Sequence, residues 1–149
     1  KMNDVSKSNI YRFKDSFDTK FIDTGSPHLI RIYENIDTLN IVNEARQLKL
    51  KYSEYTDGLN INFCEISETK FKLRTYERGV EDETLSCGTG AVACAIFLMD
   101  SGLSKYDKID LLMRGGKLSV DLINDENTFS EIWLTGAVNM VFNGIYKFE

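Results

Sequence analysis

Scarcity is the first thing this sequence offers. Its 149 residues hold one histidine, one proline, one tryptophan and three cysteines. Three cysteines at wide spacings do not make a disulfide framework, so a reducing, cytoplasmic setting is expected. One histidine without any Cys-x-x-Cys leaves no convincing metal set, and no metal is expected. No apolar run approaches the ~20 residues of a membrane-spanning helix. The 18 Lys and Arg form no basic block and the net charge is −5, which argues against a nucleic-acid partner. No signal-peptide pattern follows Lys1. Whether Met2 is an original start or the chain is a piece of something longer stays open at this point. What remains is 42% hydrophobic and 28% charged, ordinary for a soluble globular protein with one domain and a real core.

The most informative stretch is a charged loop, Thr75-Tyr76-Glu77-Arg78-Gly79-Val80-Glu81-Asp82-Glu83-Thr84-Leu85-Ser86-Cys87-Gly88-Thr89-Gly90. It leads into the apolar run Ala91-Val92-Ala93-Cys94-Ala95-Ile96-Phe97-Leu98-Met99. Nine apolar residues in a row leave no polar stripe to face water. They predict a helix buried on all sides, from near Gly88 to Asp100-Ser101-Gly102, where Gly102 suits a left-handed cap. Cys87 then sits at the helix's positive end beside unpaired backbone N–H groups. That setting stabilises a thiolate and can hold a carboxylate. The same cysteine alone, without its charged approach and Gly-Thr-Gly, would read as a small buried apolar residue. A phosphate loop is disfavoured, since the Lys and the spacing it requires are missing.

Most other segments read as short strands. Ile10–Phe13 and Lys20–Asp23 flank an Asp15-to-Asp18 turn, and His28–Tyr33 follows the only proline, Pro27. Leu59–Ile66 alternates, with Leu59, Ile61 and Phe63 on one face and Asn60, Asn62 and Cys64 on the other. Lys70–Tyr76 alternates too, and Ser67-Glu68-Thr69 predicts a hairpin between the two. Ile109–Met113 and Leu118–Ile123 flank Arg114-Gly115-Gly116-Lys117, while Phe129–Leu134 and Val138–Phe142 flank Thr135-Gly136-Ala137. One amphipathic helix is expected over Leu39–Leu48. The predicted class is α+β: a curved, mostly antiparallel sheet wrapped around a buried central helix about 18 Å long.

Tyr76-Glu77-Arg78-Gly79, Glu83-Thr84 and Cys87-Gly88-Thr89-Gly90 resemble the signature of the diaminopimelate epimerase family. Gly25-Ser26-Pro27-His28, Asn60-Ile61-Asn62-Phe63 and Thr135-Gly136-Ala137 with Val141 match it further, in family order over nearly the whole chain. The resemblance implies a cofactor-independent (PLP-independent) isomerase that interconverts LL- and meso-2,6-diaminopimelate, toward lysine and peptidoglycan. Such enzymes place the site between two similar domains, each giving one cysteine at a central-helix N-terminus. Lys1–Glu149 resembles only the C-terminal domain. The first domain's Cys-Gly-Asn-Gly is absent, and Cys64 and Cys94 fall too far from the site to replace it.

The likeness assigns Cys87 as the catalytic acid/base, and His28 and Glu77 as groups that tune thiol ionisation. Gly88 and Thr89 would bind the reacting carboxylate through backbone N–H groups. Asn60, Glu77 and Arg78 would contact the rest of the substrate. Ser26 stands where many members carry Asn; it is shorter, with a single hydroxyl, and is the weakest of these contacts. Glu81-Asp82 replaces one small residue and lengthens its loop. Expected partners are diaminopimelate and the missing N-terminal domain, and a homodimer stays open. Two other readings stand beside this one: a related racemase of the proline racemase-like group, and a non-catalytic amino-acid-binding or assembly domain.

Overall fold

The computed structural model describes residues 1–14, 16–53, 58–67 and 70–148. Asp15 of the expected turn, and Glu68 and Thr69 of the expected hairpin, lie outside the described residues. The strands are β1 Val5–Ser6, β2 Ile10–Arg12, β3 Thr19–Asp23, β4 Pro27–Tyr33, β5 Asn60–Ile66, β6 Phe71–Glu77, β7 Asp82–Thr84, β8 Lys108–Met113, β9 Gly116–Asn124 and β10 Thr128–Gly136. Helix α1, Ile41–Lys51, lies between β4 and β5, and helix α2, Gly88–Asp100, between β7 and β8. None of these helices is long and apolar enough to cross a membrane.

All the strands join one sheet, ordered β1-β10-β9-β8-β6-β5-β4-β3-β2, with β7 added to β6. Pairing is antiparallel except between β4 and β5 and between β6 and β8. The two ends of this order, β1 and β2, are consecutive in the chain and are separated only by the 3-10 turn Lys7–Asn9. Three residues reach at most ~10 Å, so the two outer edges lie close together. The sheet is therefore barrel-like and nearly closed, which also limits its exposed edges.

Two apolar cores share this sheet. Leu29, Leu59, Ile61, Phe63 and Tyr76 pack with Ile41, Ala45 and Leu48 of α1. Cys64 faces the other way, into a core formed by α2 with Ile22, Ile30, Leu73, Ile109, Val120 and Phe129. The period-2 reading of β5 is thus met. Its second face looked polar in sequence because Asn60 and Asn62 are buried there as hydrogen-bonding groups. Every residue of α2 from Gly90 to Leu98 is buried, and fully burying side chains such as Val92, Ile96 and Leu98 contributes about 1.5–3 kcal/mol each. Gly102, with φ +69°, follows the helix as expected.

Three expectations need correction. Helix α1 begins two residues later than Leu39, because the Asn40 side chain accepts from Asn43 N–H at 3.1 Å and caps it there. Val138–Phe142 forms no strand. Residues 2–6 already lie along the free edge of β10, with Met2 N–H donating to Ile132 O and Val5 paired with Phe129. Strands β1 and β7 were not expected, being two and three residues long.

Candidate functional site

The path into Cys87 is fixed on both sides. After Glu77 and Arg78 the chain reverses through Gly79 at φ +87° and Glu81 at φ +59°. The Glu81 carboxylate is held by Tyr76 Oη at 3.0 Å and Lys49 Nζ at 2.8 Å, and these donors, with Gly79 N–H, bring its pKa to about 2. β7 then pairs back onto β6, setting Thr84 opposite Thr75. Thr84 Oγ1 donates to the Glu77 carboxylate. Glu83 receives a two-pronged contact from Arg74, Nε at 2.6 Å and Nη2 at 2.7 Å, and a third from Arg114 at 2.9 Å. Past β7, Gly115 N–H donates to Leu85 O at 2.7 Å. A Cβ at Gly115 would lie 2.9 Å from that same oxygen, so the β8–β9 turn approaches the loop as only glycine allows.

Cys87 is the N-cap residue of α2, at φ −127° and ψ 109°. Its Sγ lies 3.6 Å from Thr89 Oγ1. The N–H groups of Gly88 and Thr89 in the first helical turn have no intrahelical acceptor and carry the positive end of the helix dipole. Space is tight: a Cβ at Gly90 would stand 2.5 Å from Asn62 Oδ1 and 3.2 Å from Cys87 Sγ, and one at Gly88 would stand 2.8 Å from Leu134 Cδ2. The expected stabilisation of the thiolate does not prevail. Burial pushes the Cys87 thiol up, while the Thr89 hydroxyl and the Gly90 N–H pull it down, and Glu77 adds a further upward push. Cys64 and Cys94 are fully buried with their sulfurs 3.5 Å apart, and Cys94 is raised well above the ordinary thiol value, first by its hydrogen bond to Cys64.

The remaining assigned residues lie on neighbouring strands or one residue beyond their ends, Ser26 just before β4 and Arg78 just after β6. Asn60 Nδ2 donates to Ser26 Oγ at 2.9 Å and Pro27 O at 3.1 Å, and Asn60 Oδ1 accepts from Arg78 N–H at 3.0 Å. The Asn60 amide therefore ties Ser26 and Arg78 together, and a ligand would share or displace those bonds. His28 pairs in register with Asn60 across β4 and β5 and is fully buried. Burial, with the Arg78 charge as a second cause, lowers its pKa to about 4. Arg78 is exposed, and its Cδ lies where a Cβ on Gly58 would come within 2.3 Å. No ion pair is found for its guanidinium among the described residues.

Sequence reasoning assigned no role to Asn62, Thr75, Thr84 or Glu83, although all four flank the assigned residues. Two polar residues on the same face of an otherwise apolar β5 were the available signal. Among the described residues no group of three or more His, Cys, Asp and Glu is arranged to hold a metal ion. A depression of about 1130 Å³, lined by Ile66, Phe71, Leu103, Tyr106 and Ile109, follows the C-terminal end of α2. It is remote from Cys87 and has none of the assigned residues.

With this geometry in place, comparisons with known proteins become informative. The profile of a family described as "Diaminopimelate epimerase" matches residues 20–141. A diaminopimelate epimerase of Flavobacterium psychrophilum is 41% identical over 144 residues, covering 95% of this chain and 54% of that protein. One of Aquifex aeolicus is 42% identical over 126 residues, covering 83% and 44%. The chain spans about half the length of the curated relatives it matches. Among solved structures, a PhzF-family phenazine biosynthesis protein of Enterococcus faecalis aligns with TM-score 0.50 and 17% identity, covering 83% of this chain and 40% of the other. That likeness concerns the fold alone.

Proposed function

The chain belongs to the diaminopimelate epimerase family, and from that premise we propose that it supplies one half of a cofactor-independent, two-thiol site that epimerises LL- to meso-2,6-diaminopimelate in the cytoplasm. The observation that carries the reading is Cys87 at the N-cap of the buried α2, its thiol beside Glu77 and Thr89 and next to two helix N–H groups. Inverting one carbon needs proton removal on one face and delivery on the other. Cys87 serves one face; a cysteine of a further N-terminal half serves the opposite one.

In this reading one thiolate takes the α-proton and the C–H electron pair moves into the α-carboxylate. The other thiol then gives its proton to the opposite face, so one proton leaves, one enters, and the two thiols exchange ionisation states. Gly88 and Thr89 N–H groups receive the carboxylate as its charge grows, the place where fixed donors at a helix N-terminus contribute most. The raised Cys87 thiol rests protonated near neutral pH, ready to act as the donor. Glu77, steadied by Thr84, tunes that thiol, and Arg78 with Asn60 meets the distal amino-acid end, where a guanidinium suits a carboxylate.

Two further features support a half-site. Helix α2 touches β3, β4, β5, β6, β9 and β10, which favours reading the sheet as wrapped around it with Cys87 emerging at one mouth. Residues 137–148 have no regular structure, and Val138, Met140, Phe142, Ile145 and Phe148 there are 81–96% exposed. Apolar exposure of that extent fits a surface covered by more protein. The test is Cys87→Ser in the complete two-half protein. It is expected to keep its circular dichroism spectrum and lose turnover of LL-diaminopimelate by about 100-fold or more; turnover near the parent's contradicts the assignment.

A further inference from the structure

Behind Cys87 runs a buried polar chain that the proposed chemistry leaves unused. Thr75 Oγ1 donates to Asn62 Oδ1 at 3.0 Å. Asn62 Nδ2 lies 3.2 Å from Leu29 O and 3.0 Å from His28 Nδ1. Asn62, Thr75 and His28 are all fully buried. A backbone carbonyl only accepts, so the Leu29 contact fixes which end of the Asn62 amide is its NH2 group. One of the two amide hydrogens goes to Leu29 O, and the other points to His28 Nδ1. That ring nitrogen must then be the acceptor, and the neutral ring carries its proton on Nε2. His28 Nε2, equally buried, has no hydrogen-bond partner among the described residues.

A buried donor left unpaired costs about 1–3 kcal/mol, and such groups are rare enough to call for an explanation. From this geometry we infer that Asn62 is a positioning residue that holds His28 as the Nε2–H tautomer, reserving that N–H for an anionic acceptor brought to the site when it is completed. The inference rests on the half-site reading for its functional meaning. It gives His28 the role of a neutral hydrogen-bond donor. With Nε2 already protonated and Nδ1 occupied by the Asn62 amide, the ring has no free lone pair with which to act as a base. A donor of this kind stabilises a thiolate or carboxylate set against it, without carrying a proton itself.

The place of Asn62 makes the link to the reacting end direct. Asn62 Oδ1 and Cys87 Sγ both crowd Gly90, in the first turn of α2, where a Cβ would stand 2.5 Å from the one and 3.2 Å from the other. The amide is held at its oxygen by Thr75 of β6 and at its nitrogen by Leu29 of β4, while it belongs to β5. Its orientation is thus set by three strands at once and does not depend on the ligand.

The chain contains a single histidine, so imidazole nitrogen resonances need no assignment. A long-range 15N–1H correlation spectrum of Lys1–Glu149 near neutral pH is expected to show Nε2 protonated and Nδ1 unprotonated. In Asn62→Asp the carboxylate can only accept, so the Nδ1 resonance is expected to move into the protonated range. An Nδ1–H tautomer in the parent chain overturns the inference, even if Asn62→Asp fails to fold. So does a folded Asn62→Asp chain whose Nδ1 stays unprotonated. Adding diaminopimelate, or separately the complementary half, then reports through the Nε2 proton shift whether the acceptor is the substrate carboxylate or the partner thiolate; no shift with both together also overturns it. The parent tautomer is read without turnover, so failure of the epimerase reading and failure of this inference are separable.

Discussion

Lowering the pH from 7 to 5 should destabilise this protein chiefly through His28. The ring's pKa falls from an ordinary 6.5 to about 4 in the fold, first because burial disfavours the cation and second because Arg78 repels it. Protonation would also put an Nδ1 hydrogen against the Asn62 amide, 3.0 Å away. The folded value lies below the unfolded one, so between the two the unfolded chain binds more protons and stability rises with pH. The contribution is present in full above about pH 6.5 and is lost as pH falls toward 4. At about 1.36 kcal/mol per pKa unit the whole difference is worth about 3 kcal/mol, and about 2 kcal/mol of it disappears between pH 7 and 5. Asp18, Asp100, Asp110, Glu81 and Glu83 are held below their ordinary values, so their contribution is lost as pH falls through those ordinary values of 3.8 and 4.5, mostly beneath this window. Urea unfolding at half-unit pH steps measures it, with His28→Gln as the reference. The parent's stability should fall by about 2 kcal/mol across the window while that of His28→Gln stays nearly level. Parallel slopes for the two chains would refute the buried, neutral histidine.

Two more outcomes follow from the same geometry. Iodoacetamide should label Cys87 before the other cysteines in the folded chain, since Cys87 is 6% exposed and Cys64 and Cys94 are 0%; its rate should keep rising above pH 8, because burial raises the thiol, and peptide mapping that finds Cys64 or Cys94 labelled first contradicts this. Glu83→Gln removes the charge that Arg74 grips with two bonds in a nearly buried pair, so it should cost about 3 kcal/mol in urea unfolding, and a loss under about 0.5 kcal/mol would show the clamp to be an ordinary surface contact.

Local signals carried far along this chain. The unbroken run Ala91–Met99 predicted a buried helix, and its ends at Gly88 and Asp100 followed from Gly-Thr-Gly before it and Gly102 after it. Placing Cys87 at the N-cap needed nothing beyond that. The alternation of Leu59, Ile61 and Phe63 likewise separated the two faces of β5. What stayed hidden depends on contacts between distant segments. His28, Asn62 and Thr75 meet because β4, β5 and β6 lie side by side in a particular register, and nothing in any one strand reveals it. Val138–Phe142 has the composition of a strand, yet residues 2–6 occupy the edge it would have used. The Cys87 thiol shows the same limit: helix position argued for a depressed pKa, and the burial that reverses it exists only in the assembled sheet.

Solvent deuterium entering the α-carbon of diaminopimelate tests the half-site claim most directly. Lys1–Glu149 is incubated in heavy water with LL-diaminopimelate, alone and then with the complementary cysteine-bearing half. Mass spectrometry follows the isotope, and chiral chromatography follows the meso product. The chain alone, with one thiol placed to act, should be folded by circular dichroism and give neither deuterium nor meso product. With the other half present, meso-diaminopimelate carrying one deuterium at the inverted carbon should appear, and it should vanish when Cys87 is replaced by Ser. Robust exchange and inversion by the chain alone would mean that a second base lies within these residues, contradicting the assignment of Cys87 as one of two thiols held on separate halves.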